Sequence, residues 1–221
     1  MPRDTRQNVL DTARQLFARY GFDSVSVRQI CAEAGVSDNA VHYHFGSKQA
    51  LYQTVLQQFT ERQSATMNRI LGEGPLDTTD LQIRLTIFVE ETIASLMEDA
   101  EALRIAYMEM EKDLVEAGDT IATAFVEQSQ TLKRFLELAC ERGLIRPQVD
   151  PAIVAGTLIE RIGYQVRYAE VFEKYWGESI LDTSYRKHWI TQTVDLCLNG
   201  ISMNPNETNL VNHHMNEEIR R

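Results

Sequence analysis

The sequence predicts an all-α protein, with an N-terminal three-helix unit built on a helix-turn-helix and a larger helical domain behind it. Two observations carry the fold class. Gly and Pro are sparse, 11 and 5 in 221 residues, and the long segments between them place apolar residues at helical spacing with no strand-like alternation. The third observation is the stretch from Ser26 to Leu51, SVRQICAEAGVSDNAVHYHFGSKQAL. It reads as two short helices joined by a tight turn and followed by the start of another, a layout whose second helix can enter the major groove of DNA.

In chain order, Thr5 to Tyr20 is expected as a helix with Val9, Leu10, Ala13, Leu16, Phe17 and Tyr20 on one side. Gly21 ends it and Phe22 folds back as an apolar anchor. Ser26 can cap the first motif helix through the N–H of Gln29, and Val27, Ile30, Cys31 and Ala34 share a face. Gly35 supplies the residue that tolerates positive φ, Val36 plugs the turn, and Ser37 or Asp38 can cap the second helix, with Val41 and Phe45 on its inner side. Ser47 caps a long helix from Lys48 to about Leu71, which GEGP at 72–75 breaks. Helices over 79–97, opened by Thr79 and Gln82 as a capping box, and over 100–117, ended by Gly118, come next. Asp119 caps a helix to Arg142. Asp150 followed by Pro151 opens a helix to about Trp176, and a last helix spans Asp182 to about Ile201.

The domain division is therefore 1–50, 51–202 and a polar tail, 203–221. The tail carries His213 and His214, adjacent and so not on one face as metal ligands would be, and an Asn-Glu-Thr triplet at 206–208 that fits a glycosylation sequon.

The net charge of −10 at first argues against nucleic acid. Its distribution permits DNA binding, because the acidity belongs to the C-terminal bulk: residues 1–50 carry six Lys/Arg and five Asp/Glu, and the rest of the chain 16 against 27. Arg3 and Arg6 could form an arm that touches phosphate or simply belong to a solvated terminus. Cys31, Cys140 and Cys197 lack CxxC spacing and read as buried thiols, Cys140 also admitting a redox-sensor role. MPRDTRQ is not a signal peptide and no apolar run spans a membrane, so a cytoplasmic protein is expected.

With these residues in place, the first quarter of the chain resembles the TetR family of transcriptional regulators. The match runs through Tyr20-Gly21-Phe22, Ser-Val-Arg-Gln-Ile at 26–30, Ala-Gly-Val-Ser at 34–37, Tyr-His-Phe-Gly-Ser-Lys at 43–48, and Leu51-Tyr52. The resemblance covers about residues 5–60. It implies a homodimeric DNA-binding repressor that reads a palindromic double-stranded operator and is released by a small molecule of unknown identity, with no cofactor and no metal. Arg28 falls where the family contacts DNA backbone or bases, and Ser37, Asp38, Asn39 and Ala40 where side chains face base edges. Asn39 could pair with adenine; Asp38 could accept from cytosine or cap its helix. His42 departs from the usual Tyr. Tyr43 and His44 are expected at phosphate or in local packing, and Lys48 at phosphate beside the free N–H groups of its helix.

For the helical domain, the candidate pocket joins Phe88, Met97, Tyr107, Met108 and Phe125 with the polar groups of Arg104, Arg161, Tyr164 and, nearby, Tyr168. Arg167, Glu160 and Met110 could contribute. Ala152, Ala155, Gly156 and Gly163 let another helix approach closely. With Trp189, Val194 and Cys197 they form the candidate dimer face, a four-helix bundle of two copies, although packing within the chain would use the same residues. An enzyme reading lacks a phosphate loop, HExxH, or GxSxG motif, and the pairs Glu90/Glu91 and Glu109/Glu111 read as solvated helix faces. A third reading has the same fold act through a protein partner and no small ligand.

Overall fold

A computed structural model of the chain describes residues 4–112, 117 and 119–201. These residues form helices and turns with no strand. In order they are α1 (Thr5–Ser24), α2 (Val27–Ala34), α3 (Ala40–Phe45), α4 (Lys48–Leu71), α5 (Thr78–Glu98), α6 (Ala100–Glu111), α7 (Asp119–Glu141), α8 (Pro151–Arg167), α9 (Ala169–Trp176) and α10 (Thr183–Ile201). Arg3, Leu114, Gly118 and the tail with its histidines and sequon lie outside the described residues.

Local signals explain most boundaries. Asp4 caps α1 by accepting from the Arg6 N–H, and at Gly21 the backbone turns to φ 77°, a kink only glycine adopts without strain. Ser47 accepts from Ala50 N at 3.0 Å to start α4, and Asp150 accepts from Ala152 N at 2.8 Å ahead of Pro151 in α8. Asp182 accepts from Tyr185 N at the head of α10.

Three expectations are corrected. The cap of α5 is Asp77, which accepts from Asp80 N while the Asp80 carboxylate accepts from Leu76 N; this paired cap lies two residues before Thr79 and Gln82. Helix α6 stops at Glu111. The segment expected as one helix to Trp176 is two, with Tyr168 outside helical geometry at φ −108°, ψ 15°. The bend lets Phe172 on α9 bury, and Ser179, itself buried, donates to the Ala169 carbonyl to hold the return loop.

Packing makes α4 the common element. Its first turns lie against α1 and α3, and its remainder against α5, α6 and α7. The expected boundary at residue 50 thus falls inside a continuous helix. Behind it, α5, α7 and α8 complete a bundle, α10 covers α5, and α6 lies between α1 and that bundle. The GEGP break is clamped by two arginines. Arg84 donates to the carbonyls of Ile70, Glu73 and Gly74, and Arg142 to those of Gly74 and Pro75.

Candidate nucleic-acid interface and interior cavity

The motif is fixed from inside. Ser26 accepts from Gln29 N at 3.1 Å, Gly35 sits at φ 65°, and the Val36 N–H returns to the Cys31 carbonyl at 3.0 Å, so α2 ends in a left-handed turn that points the chain toward α3. The Asn8 amide donates to the last carbonyl of α2, Ala34, at 2.7 Å. On α3, Val41 and Ala40 are buried and Phe45 packs against the same core. Successive residues of a helix are about 100° apart, so Asn39, His42 and Tyr43 take the opposite, outward side. Tyr43 is 80% exposed, Arg28 is exposed on α2, and a groove runs between Thr5 and the turn at Gly35–Ser37 to Asn39, Tyr43 and His44.

Several expected contacts change on this geometry. Ala40 is a core residue and cannot meet a base edge. Neither Ser37 nor Asp38 caps α3: Asn39 occupies the cap position, without a side-chain bond, and the Asp38 carboxylate is left exposed toward solvent. His42 Nδ1 lies 3.0 Å from the Gly46 carbonyl. A carbonyl only accepts, so Nδ1 carries the proton in this contact, and Nε2 takes no part in it. Arg6 lies over the Phe45 ring, 5.0 Å from its centroid, and so braces α3 from α1. Lys48 departs most: its Nζ, only partly buried, donates to Phe22 O and Val25 O, both at 3.0 Å.

Helices α4 to α8 surround a cavity of about 90 Å³, several times the roughly 10–15 Å³ that one water needs on this scale. Phe88, Tyr107 and Phe125 line it as expected. The other candidates do not. Arg104 is exposed, Met97 is bound by Arg186, Arg161 lies over Trp189 and donates to Thr193, and Tyr164 and Tyr168 form an aromatic strip with Phe172 outside the cavity. Met108 packs against the core without lining the cavity. Residues missed from sequence include Phe59, Gln63 and Met67 on α4. Their i, i+4, i+8 spacing was a visible sign that one face of α4 continues inward. Gly163, expected between two chains, is a wall of the cavity beside Tyr107.

Trp189, Val194 and Ala155 are buried within the chain and so cannot form its outer face. The open apolar surface between α8 and α10 instead exposes Ile153 at 67% and Leu196 at 65%, with Ala152 exposed on α8 and with Thr157, Cys197 and Gly200 along the groove. Gly156 stays partly open there. Burial pushes the Cys197 thiol up to about 11, and burial with the Glu137 and Glu141 carboxylates raises that of Cys140. Neither thiol is set up as a redox nucleophile.

Two buried carboxyl groups tie α6 to the motif. Asp99, just before α6, meets Arg14 of α1 at 3.3 Å and Arg62 of α4 at 3.5 Å. Glu109, expected on a solvated face, is 1% exposed and accepts from Tyr52 Oη at 2.6 Å and Ala117 N at 2.9 Å.

A helix-turn-helix with its inner side locked and its outer side bare, on a helical body with an interior cavity, defines a helix-turn-helix transcriptional regulator. Residues 9–55 match the family model described as bacterial regulatory proteins, tetR family. Over 160 residues the chain is 27% identical to the HTH-type transcriptional regulator UidR of Escherichia coli K12, covering 71% of this chain and 76% of that protein. Over 64 residues it is 39% identical to the HTH-type transcriptional repressor Rv1474c of Mycobacterium tuberculosis, 29% of this chain and 34% of the relative. The ketosteroid transcriptional regulator KstR2 of Mycobacterium tuberculosis has the same fold, with a TM-score of 0.71 at 19% identity over 92% and 98% of the two chains. Residues 9–55 are thus a DNA-binding domain of the TetR family, and the whole chain has the fold of TetR-family transcriptional regulators. Among the described residues no helix is long and apolar enough to cross a membrane.

Proposed function

We propose that the protein is a homodimeric repressor, acting in the cytoplasm on a palindromic operator and released from it by a small molecule. The observation that carries this reading is the outward row Asn39, His42 and Tyr43 on α3, presented by a helix whose other side is sealed into the core. In a major groove Asn39 makes a bidentate contact with adenine, and His42 brings Nε2 to a base edge. Tyr43, His44, Ser37, Arg28 and Asp38 border those contacts, with phosphate as the partner of Tyr43 and Arg28. The reading unit is α1 to α3 with the first turns of α4, and the rest of the helical body serves dimerisation and ligand control.

Gel shift on the DNA upstream of the protein's own gene tests this. Asn39→Ala should weaken binding by about 1–3 kcal/mol and relax preference at one base pair per half-site. Tyr43→Ala should weaken all sequences alike. Unaltered binding by both variants would sink the assignment.

The dimer reading rests on the open α8–α10 face. Ile153→Lys with Leu196→Lys should convert dimer to monomer at micromolar concentration in sedimentation. It should also abolish two-half-site binding, because half-sites about 34 Å apart need two linked motifs. For release, a ligand must bind one conformer better than the other, a coupling of typically ~1–3 kcal/mol. The cavity is placed for this: Leu103, Ala106, Tyr107 and Met110 of α6 line it, while Glu109 of the same helix holds Tyr52 of the DNA-binding side.

A further inference from the structure

The ligand reading above leaves the chemistry of the ligand open, and the cavity walls narrow it. Among the described residues no Asp, Glu, Lys or Arg lines the cavity. A charged group inside would meet no opposite charge to offset its desolvation, which costs several kcal/mol per ion. The walls are aromatic, aliphatic and Met side chains, with a few neutral polar groups. Two of those groups are already engaged: Thr60 donates to Gln57 O at 3.0 Å, and the Gln63 amide donates to Ser95 Oγ at 2.9 Å.

Tyr107 differs. Its hydroxyl makes no hydrogen bond among the described residues and occupies space left open at Gly163, where a Cβ would force the phenolic oxygen to shift. The ring is held from its other side by Arg167, whose guanidinium lies 4.4 Å from the ring centroid and is anchored by Glu111 at 2.6 Å. Desolvation first, then Glu160, raises the Tyr107 pKa, outweighing Arg167. The phenol therefore remains a neutral O–H donor.

We infer that the cavity takes an uncharged, mainly hydrophobic molecule carrying one hydrogen-bond acceptor, such as a carbonyl or ether oxygen, which the Tyr107 hydroxyl anchors. The inference rests on the cavity being the effector site. It names Tyr107 as the donor that sets orientation and Gly163 as the residue that makes room for it. Thr92 and Gln128, the other polar lining groups, are neutral as well and keep the site free of charge.

The test uses the full chain and three probes of matched length: 2-decanone, decane and decanoate. The ketone should raise the melting temperature in a concentration-dependent way. Decane should bind more weakly, and decanoate should give no shift at the same concentrations. Tyr107→Phe, which keeps the ring and its cation contact, should weaken the ketone about five- to tenfold and leave decane unchanged, as expected for one neutral hydrogen bond. The three-probe comparison on the unaltered chain needs no variant, so a folding defect in Tyr107→Phe would not hide the result. Decanoate binding as well as 2-decanone overturns the inference, as does ketone affinity untouched by Tyr107→Phe or a ketone that fails to bind. The regulator reading is judged separately by gel shift: a charged molecule that releases the operator would refute this ligand class and keep that reading.

Discussion

Glu109→Ala should strongly destabilise the junction between α6 and the DNA-binding unit, costing about 3–5 kcal/mol. The side chain is 1% exposed and accepts hydrogen bonds from Tyr52 Oη and Ala117 N. Each buried donor that loses its acceptor costs about 1–3 kcal/mol, and the vacated volume adds a cavity term. Tyr52 is itself part of a cluster: its ring packs edge-on against Phe17 with centroids 4.9 Å apart and lies 4.9 Å from Phe22. Phe22 is the residue that the Gly21 kink turns inward. A loosened Tyr52 thus loosens the end of α1 that supports α2. For a chain of this size each kcal/mol moves the melting temperature by about 2–4 °C, so a drop of about 10 °C is expected. Glu109→Gln keeps the shape and one acceptor oxygen, and should lose about half as much. Thermal or urea denaturation of the two variants decides it, and a Glu109→Ala loss below about 1 kcal/mol would show that the link is not under tension from both sides.

Glu109 also shows where sequence reading stops. Next to Glu111 it looks like half of a solvated carboxylate pair, because helical spacing fixes which residues share a face but not which face turns inward when a partner lies 57 residues away. The motif was legible for the opposite reason. Ser26, Gly35, Val36, Val41 and Phe45 act on neighbours within a few residues, and each carries a local chemical requirement: a hydroxyl at a cap, positive φ at a turn, an apolar plug. The same holds for Ser47 and for Asp150 with Pro151. The break at Tyr168 had no Pro or Gly to mark it and arises from burying Phe172. Trp189 and Val194 were placed on an outer face because both faces of their helix are apolar, and only the packing of α10 on α5 decides which is covered. The cavity was half legible. Phe88, Tyr107 and Phe125 are aromatic groups on three helices, but a void is defined by where five helices fail to meet, and no single segment encodes that.

Lys48→Ala should lower both the melting temperature and the operator affinity while leaving the salt dependence of the remaining binding unchanged. The family resemblance sends this lysine to a phosphate; the structure turns it inward. Its Nζ donates to Phe22 O and Val25 O at 3.0 Å each and lies 4.0 Å from the centroid of the Phe22 ring. Those carbonyls belong to the connection between α1 and α2, so the ammonium bolts the first turn of α4 onto the strut that positions the motif. Hydrogen bonds to a charged donor contribute about 1.5–3 kcal/mol each. Partial exposure of Lys48 reduces that, and a total loss of about 2 kcal/mol is expected. The operator senses this indirectly, because a motif whose angle is less well held must be ordered on binding. A true phosphate contact behaves otherwise. Each one releases a counterion, so its removal lowers the slope of log affinity against log salt by about one without touching stability. Measuring the melting temperature and the salt slope on the same variant therefore separates the two roles. A fall in slope of about one with an unaltered melting temperature would return Lys48 to the phosphate, and an unaltered slope with a lower melting temperature makes it the bolt between α4 and the reading head.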